Sequence, residues 1–216
     1  MDFNRFDNTF FGLMDELVFQ LKPEERIVLE TVYEAIMDAG INPDQLRGSR
    51  RVGVYVGTTV YSNIDNKVED TQPDVMTPMD LFTTINVINI KADNRISYVF
   101  DFKGPSMSID TACSASLSAL NVAINDLKLG NIDYAVIAGI HTNLQPVSVQ
   151  IGQEGGILSP KGQSCPLDES ADGFVKGEAV CCVLLQRRQS ACRVYASVRS
   201  VGINNDGKKT IGMFCP

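Results

Sequence analysis

Residues 106–120 read SMSIDTACSASLSAL and join two different hydrophobic periodicities. Before the cysteine, Met107 and Ile109 alternate with polar residues, which predicts a β-strand. After it, apolar residues recur at spacings of three and four, which predicts a helix with one apolar stripe. The members of that stripe are Leu117, Leu120, Ile124 and Leu127. Cys113 is therefore predicted at the junction between a strand and a helix.

The predicted position of Cys113 favours a nucleophile. The first turn of a helix has backbone N–H groups without intrahelical partners and a partial positive charge, and both stabilise a thiolate relative to a thiol. Its neighbours Ala112 and Ser114 are small, so they would leave the sulfur uncovered. The alternative is a cysteine packed in the core, because free cysteine is among the most buried residue types. On spacing alone, both interpretations remain open.

Outside this stretch, predicted strands alternate with a helix and long connections. Pro23 suits the first turn of a helix, and Gly40 is positioned to end it. Apolar runs that predict strands are Val52–Gly57, Asp133–His141, Gly177–Gln186 and Val194–Val201. Several of these runs are apolar on both faces, which is typical of strands in a covered parallel sheet. The fold class is therefore α/β, with a mainly parallel sheet covered on two sides.

One segment has an ambiguous pattern, and two others are predicted to be loops. Residues 86–94 have a helical pattern, whereas Ile96, Tyr98, Phe100 and Phe102 alternate as in a strand. The acidic segment Thr58–Asp80 does not match the spacing of a calcium-binding loop and is predicted to be a solvated loop. Glycine and proline pairs between residues 155 and 162 indicate a long loop before the third strand.

The charges argue against a nucleic-acid partner. The net charge of the 216 residues is −7, and the basic pairs Arg50-Arg51, Arg187-Arg188 and Lys208-Lys209 are isolated from one another in the sequence. No run of about eighteen apolar residues is present, so no membrane span is expected. The first residues, MDFNRFDNTFFG, lack the charged and then apolar segments of a secretory signal, so a cytoplasmic location is expected.

The six cysteines show no paired spacing such as C-x-x-C. Neither a metal site nor a disulfide framework is therefore expected. Cys181 and Cys182 are adjacent in a predicted strand, so their side chains should point to opposite faces and act as reduced packing residues. Gly152, Gly155 and Gly156 lack the spacing and the lysine of a phosphate-binding loop, so no nucleotide site is expected.

Four other polar residues are candidates for a site around Cys113. His141 is the single histidine, and a Cys113–His141 pair would give the nucleophile and base of a thiol hydrolase if the imidazole reached the sulfur. Glu178 lies inside a predicted apolar strand, where a carboxylate needs a buried cationic partner or a polar site. Asp110 and Thr111 are expected to cap free N–H groups and to fix the loop that presents the cysteine.

The segment Asp110-Thr111-Ala112-Cys113-Ser114-Ala115-Ser116 closely resembles the active-site segment of the β-ketoacyl synthase domains of animal-type fatty acid synthases and modular polyketide synthases. The resemblance extends over essentially the whole chain, with the blocks in family order. Those blocks are Phe6-Asp7 with Phe10-Phe11-Gly12, Leu29–Gly57, Asn94–Tyr98, Leu158-Ser159-Pro160, Asp172-Gly173-Phe174 with Lys176-Gly177-Glu178, and Asn205-Asp206-Gly207.

The resemblance implies a thiolase-like fold with α-β-α-β-α layers and a homodimer whose twofold axis lies beside the strand that leads into the cysteine. It implies decarboxylative condensation, in which Cys113 accepts an acyl group and its N–H supplies one oxyanion-hole donor. The substrates are carried on the phosphopantetheine of an acyl carrier protein, and no cofactor binds directly. Supporting roles fall to Asp110, Thr111, Ala112 and Ser114, and Glu178 joins the active-site network.

The family pattern also predicts two catalytic histidines in blocks that residues 1–216 do not contain. His141 occupies a position that is normally noncatalytic in the family. We therefore expect residues 1–216 to form the amino-terminal portion of one ketosynthase domain, inactive alone in condensation and partnered by the remainder of a synthase. The alternatives are a noncatalytic interaction module with the same fold and, less favoured, a Cys113–His141 thioesterase.

Overall fold

A computed structural model describes residues 5–59, 91–143 and 146–208. The predicted acidic loop Thr58–Asp80 and the helical pattern of residues 86–94 lie mostly outside these residues. The helices are α1 Asp15–Gln20, α2 Pro23–Asp38, α3 Ala92–Val99, α4 Ala115–Leu129 and α5 Pro146–Glu154, with short 3-10 turns at Pro43–Leu46 and Arg188–Ser190. The strands are β1 Val52–Gly57, β2 Ser106–Ile109, β3 Tyr134–His141 and β4 Ala179–Gln186.

The four strands form one sheet in the order β2-β1-β3-β4. β1 is parallel to both β2 and β3, whereas β4 is antiparallel to β3. Gly57, the last residue of β1, pairs with Ile109 of β2 and with Gly139 of β3. The carboxyl ends of the three parallel strands therefore lie at one edge of the sheet, as the sequence predicted for a mainly parallel sheet.

Helices cover both faces of the sheet. α2 and α3 pack with one face of the strands around the fully buried Val28, Ile36 and Val54. On the opposite face, Ala119 and Ala123 of α4 pack in a second cluster. The limits of α2 agree with the prediction, because Pro23 begins it and Gly40, with φ of +76°, follows its end. The predicted two-sided cover of the sheet is confirmed.

One predicted periodicity was wrong, and another fails at one residue. Residues 96–102 do not form a strand, because Ile96 and Val99 bury one side of α3 while Tyr98 is 77% exposed. In α4, the predicted apolar stripe is confirmed at Ile124 and Leu127, which are buried, and at Leu120, which packs partly buried beside them, whereas Leu117 is 65% exposed. The side that faces the sheet also contains several small residues. The buried members of that side are Ala115, Ser118, Ala119, Ala123, Ile124 and Leu127.

Three predictions for the carboxyl-terminal part of the chain also need correction. Residues 194–201 form no strand, since no neighbouring strand among the described residues pairs with them. Cys181 is exposed rather than packed, because the face of β4 on which it lies extends beyond the cover of α4. β4 begins at Ala179, so Glu178 lies just outside this strand rather than within it. α5 was not predicted.

Candidate active site

Cys113 lies in the five-residue connection between the end of β2 at Ile109 and the start of α4 at Ala115. Its side chain is exposed, so it is not the core cysteine that burial statistics favoured. The predicted junction between a strand and a helix is confirmed. The sulfur is thus at the positive end of a 15-residue helix and open to a ligand.

A close approach of backbone to backbone fixes the start of α4 on the sheet. A Cβ atom on Gly57 would lie 2.5 Å from the backbone nitrogen of Ser116, and one on Gly139 would lie 3.1 Å from the Ser116 Cβ atom. Gly57 and Gly139 are register partners at the carboxyl ends of β1 and β3. The pair of glycines therefore allows the first turn of α4 to rest directly on the strand ends, which positions the loop that holds Cys113.

The connection itself contains a strained residue. Ala112, which precedes Cys113, has φ of +51°, a left-handed conformation that is unfavourable for a residue with a Cβ atom. The Ala112 N–H donates to Asp110 Oδ1 at 3.0 Å. Asp110 thus satisfies an N–H of the connection, and it stabilises the turn that places Cys113.

Three hydroxyl groups tie the connection to the helix. Thr111 Oγ1 and Ser118 Oγ are 2.8 Å apart, and Ser118 is buried in the side of α4 that faces the sheet. Ser114 Oγ donates to the Thr111 carbonyl oxygen at 2.8 Å and lies 2.9 Å from Thr111 Oγ1. Thr111 and Ser114 therefore hold the backbone on both sides of Cys113, while their supporting roles in catalysis stay a prediction. Sequence inspection missed Ser118, although its i+4 spacing from Ser114 was visible.

Glu178 makes a contact that the sequence did not suggest. Its side chain is exposed, and Oε1 accepts the Asn143 N–H at 2.7 Å. In the reverse direction, Asn143 Nδ2 donates to the Gly177 carbonyl oxygen at 3.0 Å. A position inside the strand would have required a buried cationic partner or a polar site for this carboxylate. The carboxylate is instead exposed and accepts a backbone N–H. Instead, these two hydrogen bonds join the chain after β3 to the chain before β4.

His141 is exposed at the last position of β3. Within the described part of the chain, His141 and Cys113 share no hydrogen bond. The geometry therefore gives the thioesterase alternative no support.

Among the residues that the structure describes, the other cysteines and the possible metal ligands form no second site. Burial raises the pKa of Cys182 to about 12, so this thiol stays protonated at neutral pH. In the ranges that the structure describes, no three His, Cys, Asp or Glu side chains are grouped as they would be around a metal ion. Among the same residues, no helix is long and apolar enough to cross a membrane.

Solved structures that share this fold include ketosynthases. A ketosynthase from module 6 of the bacillaene synthase of Bacillus subtilis superimposes with a TM-score of 0.75 and 30% identity, over 97% of this chain and 34% of that one. An oxazolomycin ketosynthase domain from Streptomyces albus gives a TM-score of 0.69 and 32% identity, over 87% of this chain and 32% of that one. The chain therefore has the thiolase-like α/β fold of the ketosynthase class.

Sequence comparisons agree with the structural ones. Residues 1–191 match the family described as "Beta-ketoacyl synthase, N-terminal domain". A fatty acid synthase of the goose Anser anser anser is 40% identical over all of this chain and 59% of its own length. The lovastatin nonaketide synthase mokA of Monascus pilosus is 38% identical over 97% of this chain and 7% of its own length. The chain belongs to the β-ketoacyl synthase family and spans only part of these relatives.

Proposed function

We propose that this chain provides the acyl-accepting part of a β-ketoacyl synthase active site, with Cys113 as the nucleophile. The observation that supports this role is that Cys113 is exposed at the amino end of α4, on a connection whose backbone is held by side-chain hydrogen bonds. The small neighbours of Cys113 leave its sulfur accessible to a substrate at the start of the helix. Membership in the β-ketoacyl synthase family adds the chemical class, which is acyl transfer followed by condensation.

In the first step, the Cys113 thiolate attacks the carbonyl carbon of an acyl group carried on the phosphopantetheine of an acyl carrier protein. A sulfur–carbon bond forms to Cys113, the bond to the pantetheine sulfur breaks, and that sulfur leaves as a thiolate. The Cys113 N–H donates to the oxyanion of the tetrahedral intermediate. Asp110, Thr111 and Ser114 are positioning residues, because their hydrogen bonds hold the backbone around the sulfur.

In the second step, a malonyl group on carrier protein loses carbon dioxide, and the resulting carbanion attacks the acyl thioester. A carbon–carbon bond forms and the Cys113 thiolate is released. This step needs histidines that the family supplies from other blocks, whereas His141 is the single histidine of this sequence and lies exposed at the end of β3. We therefore propose that residues 1–216 accept acyl groups and act in condensation only with the remainder of a synthase.

The proposed oligomer is a homodimer of the complete domain. β2 is the outermost strand on one side of the sheet among the described residues, and it leads directly into the Cys113 connection. An outer strand has backbone groups available for pairing with a second copy. The family resemblance implies a twofold axis beside this same strand, which supports the proposed homodimer.

Alkylation and acylation of the 216-residue chain test the nucleophile. Iodoacetamide should label Cys113 faster than the exposed Cys181 at neutral pH, and an acyl-phosphopantetheine thioester should add one acyl group by mass spectrometry. Cys113→Ala should abolish the acyl adduct, whereas Cys181→Ala should retain it. Equal labelling of Cys113 and Cys181 with no acyl adduct would favour the noncatalytic interaction module. Ketoacyl product formed by this chain alone would refute its inactivity in condensation.

A further inference from the structure

Two basic pairs that are isolated in the sequence meet in the fold. Arg50 and Arg51 come directly before β1, and Arg187 and Arg188 come directly after β4. Because β1 and β3 are parallel and β4 is antiparallel to them, the start of β1 and the end of β4 lie at the same edge of the sheet. The register places a single residue of β3, Tyr134, between Val52 and Gln186.

Contacts around Asp133 connect the two pairs. Arg51 Nε and Nη2 donate to the two carboxylate oxygens of Asp133 at 2.6 and 2.7 Å. The hydrogen bond from Arg51, with smaller charge effects from Arg51 and Arg187, lowers the pKa of Asp133. Arg187 Nη2 also donates to the Leu127 carbonyl oxygen at 3.2 Å, at the end of α4. The two arginine pairs therefore belong to one continuous surface.

Two lysines extend this surface. Lys128 follows Leu127 in the last turn of α4. The Lys103 N–H donates to the Ser49 carbonyl oxygen at 2.8 Å, which places Lys103 beside Arg50. We call this surface the basic edge. Its cationic residues are Arg50, Arg51, Lys103, Lys128, Arg187 and Arg188.

The basic edge carries more positive than negative charge, although the protein as a whole has a net charge of −7. Its carboxylates are already engaged: Asp133 by Arg51, Asp101 by Lys103 at 3.6 Å, and Asp126 by the Tyr55 hydroxyl group and an asparagine. Arg50, Lys128 and Arg188 are exposed, and no carboxylate of the described residues forms an ion pair with any of them. These side chains are available to bind an anionic partner.

An apolar side chain lies next to these charges. Leu129, which follows Lys128, is 75% exposed. A polypeptide with an apolar side chain beside its carboxylates could pair its carboxylates with the cations and pack the apolar side chain against Leu129. A nucleic acid would use only the cations and would meet the carboxylates of the edge. The combination of charges and leucine therefore favours a protein partner.

We propose that the basic edge binds an acidic polypeptide segment that carries an apolar side chain among its carboxylates. The basic edge lies at the amino ends of β1 and β3, whereas Cys113 lies near their carboxyl ends, about 20 Å away for strands of this length. A partner on this edge therefore does not cover Cys113. The inference is independent of whether Cys113 acts as a nucleophile.

Fluorescence anisotropy with a labelled peptide of repeated Glu-Glu-Leu-Glu units tests the proposal on the 216-residue chain. At about 50 mM salt, where surface charges are weakly screened, the peptide should bind, and raising the salt should weaken binding. The double variant Arg50→Glu/Arg188→Glu should weaken binding by about tenfold or more. The variant Leu129→Ser should weaken it by a few fold. Circular dichroism melting of each variant checks that the fold is kept.

The matched control is Lys161→Glu/Arg199→Glu, which changes the net charge equally at residues outside the basic edge. It should change binding less than about twofold. Equal weakening by the control pair would overturn the proposal, because binding would then follow net charge alone. Tighter binding of labelled oligothymidine than of the peptide would also overturn it, in favour of a nucleic-acid surface. So would the absence of peptide binding at low salt.

Discussion

The backbone nitrogen of Ser116 lies so close to Gly57 that a methyl group on the glycine would come within 2.5 Å of it. This contact joins the carboxyl end of β1 to the first turn of α4, three residues after Cys113. The placement of the candidate nucleophile thus depends on a glycine 56 positions away in the sequence.

The first prediction concerns that contact. Gly57→Ala should destabilise the fold by about 2–3 kcal/mol, because neither backbone can move away without disturbing the sheet. Gly139→Ala should cost about 1 kcal/mol, since it meets only the Ser116 side chain at 3.1 Å. Urea unfolding measures both free energies, and iodoacetamide labelling should show slower alkylation of Cys113 in Gly57→Ala.

Gly202→Ala is the control, because nothing lies within 4 Å of a Cβ atom at that position. It should change the free energy of unfolding by less than about 0.5 kcal/mol. Equal stability of Gly57→Ala and Gly202→Ala would mean that the close approach of α4 to β1 is not present in solution.

The second prediction concerns the hydrogen bond between β1 and α4. Tyr55 is fully buried, its hydroxyl group donates to Asp126 at 2.6 Å, and burial together with this bond raises the pKa of Tyr55. Tyr55→Phe should lower the free energy of unfolding by about 1–2 kcal/mol, because Asp126 loses a partner in a partly buried site. Tyr98→Phe, at a residue that is 77% exposed, should have almost no effect. Comparable losses in the two variants would contradict the role of the bond.

The third prediction concerns pH. The hydrogen bond from Arg51 is the main cause that lowers the pKa of Asp133, so the carboxylate is favoured in the folded state. The stabilisation is complete above the unfolded pKa of Asp, about 3.9, and is lost as the pH falls through the lower folded pKa. The urea midpoint of Asp133→Asn should therefore be slightly below that of the unmodified chain at pH 6, and the difference should shrink below about pH 4. If the difference between the two urea midpoints grew as the pH was lowered, the prediction would be wrong.

The fourth prediction concerns the contact between Glu178 and Asn143. Glu178→Ala removes the acceptor of the Asn143 N–H and should speed hydrogen exchange at that amide by about tenfold. Glu178→Gln retains an acceptor oxygen and should have a smaller effect. Glu169→Ala, an exposed carboxylate in the same long loop, is the control. An unchanged exchange rate in Glu178→Ala would show that the carboxylate does not hold this loop.

Local patterns in the sequence determined much of the fold and the position of the candidate nucleophile. The change of periodicity on either side of Cys113 located the junction of β2 and α4, and Pro23 and Gly40 marked the limits of α2. These signals are local, because a helix or strand repeats its own spacing and its ends need particular residues. The active-site segment around Cys113 was also sufficient to suggest the family.

Only the tertiary structure decided which distant residues meet. Leu117 fits the predicted helical stripe but is exposed, because the first turn of α4 lies against Gly57 through Ser116 and buries the small Ala115 and Ser118 instead. The hydrogen bond of Asn143 to Glu178 and the approach of Arg50 to Arg188 likewise follow from strand order and direction. Periodicity specifies which face of an element is buried in general, whereas strand order and register depend on interactions between segments far apart in the chain.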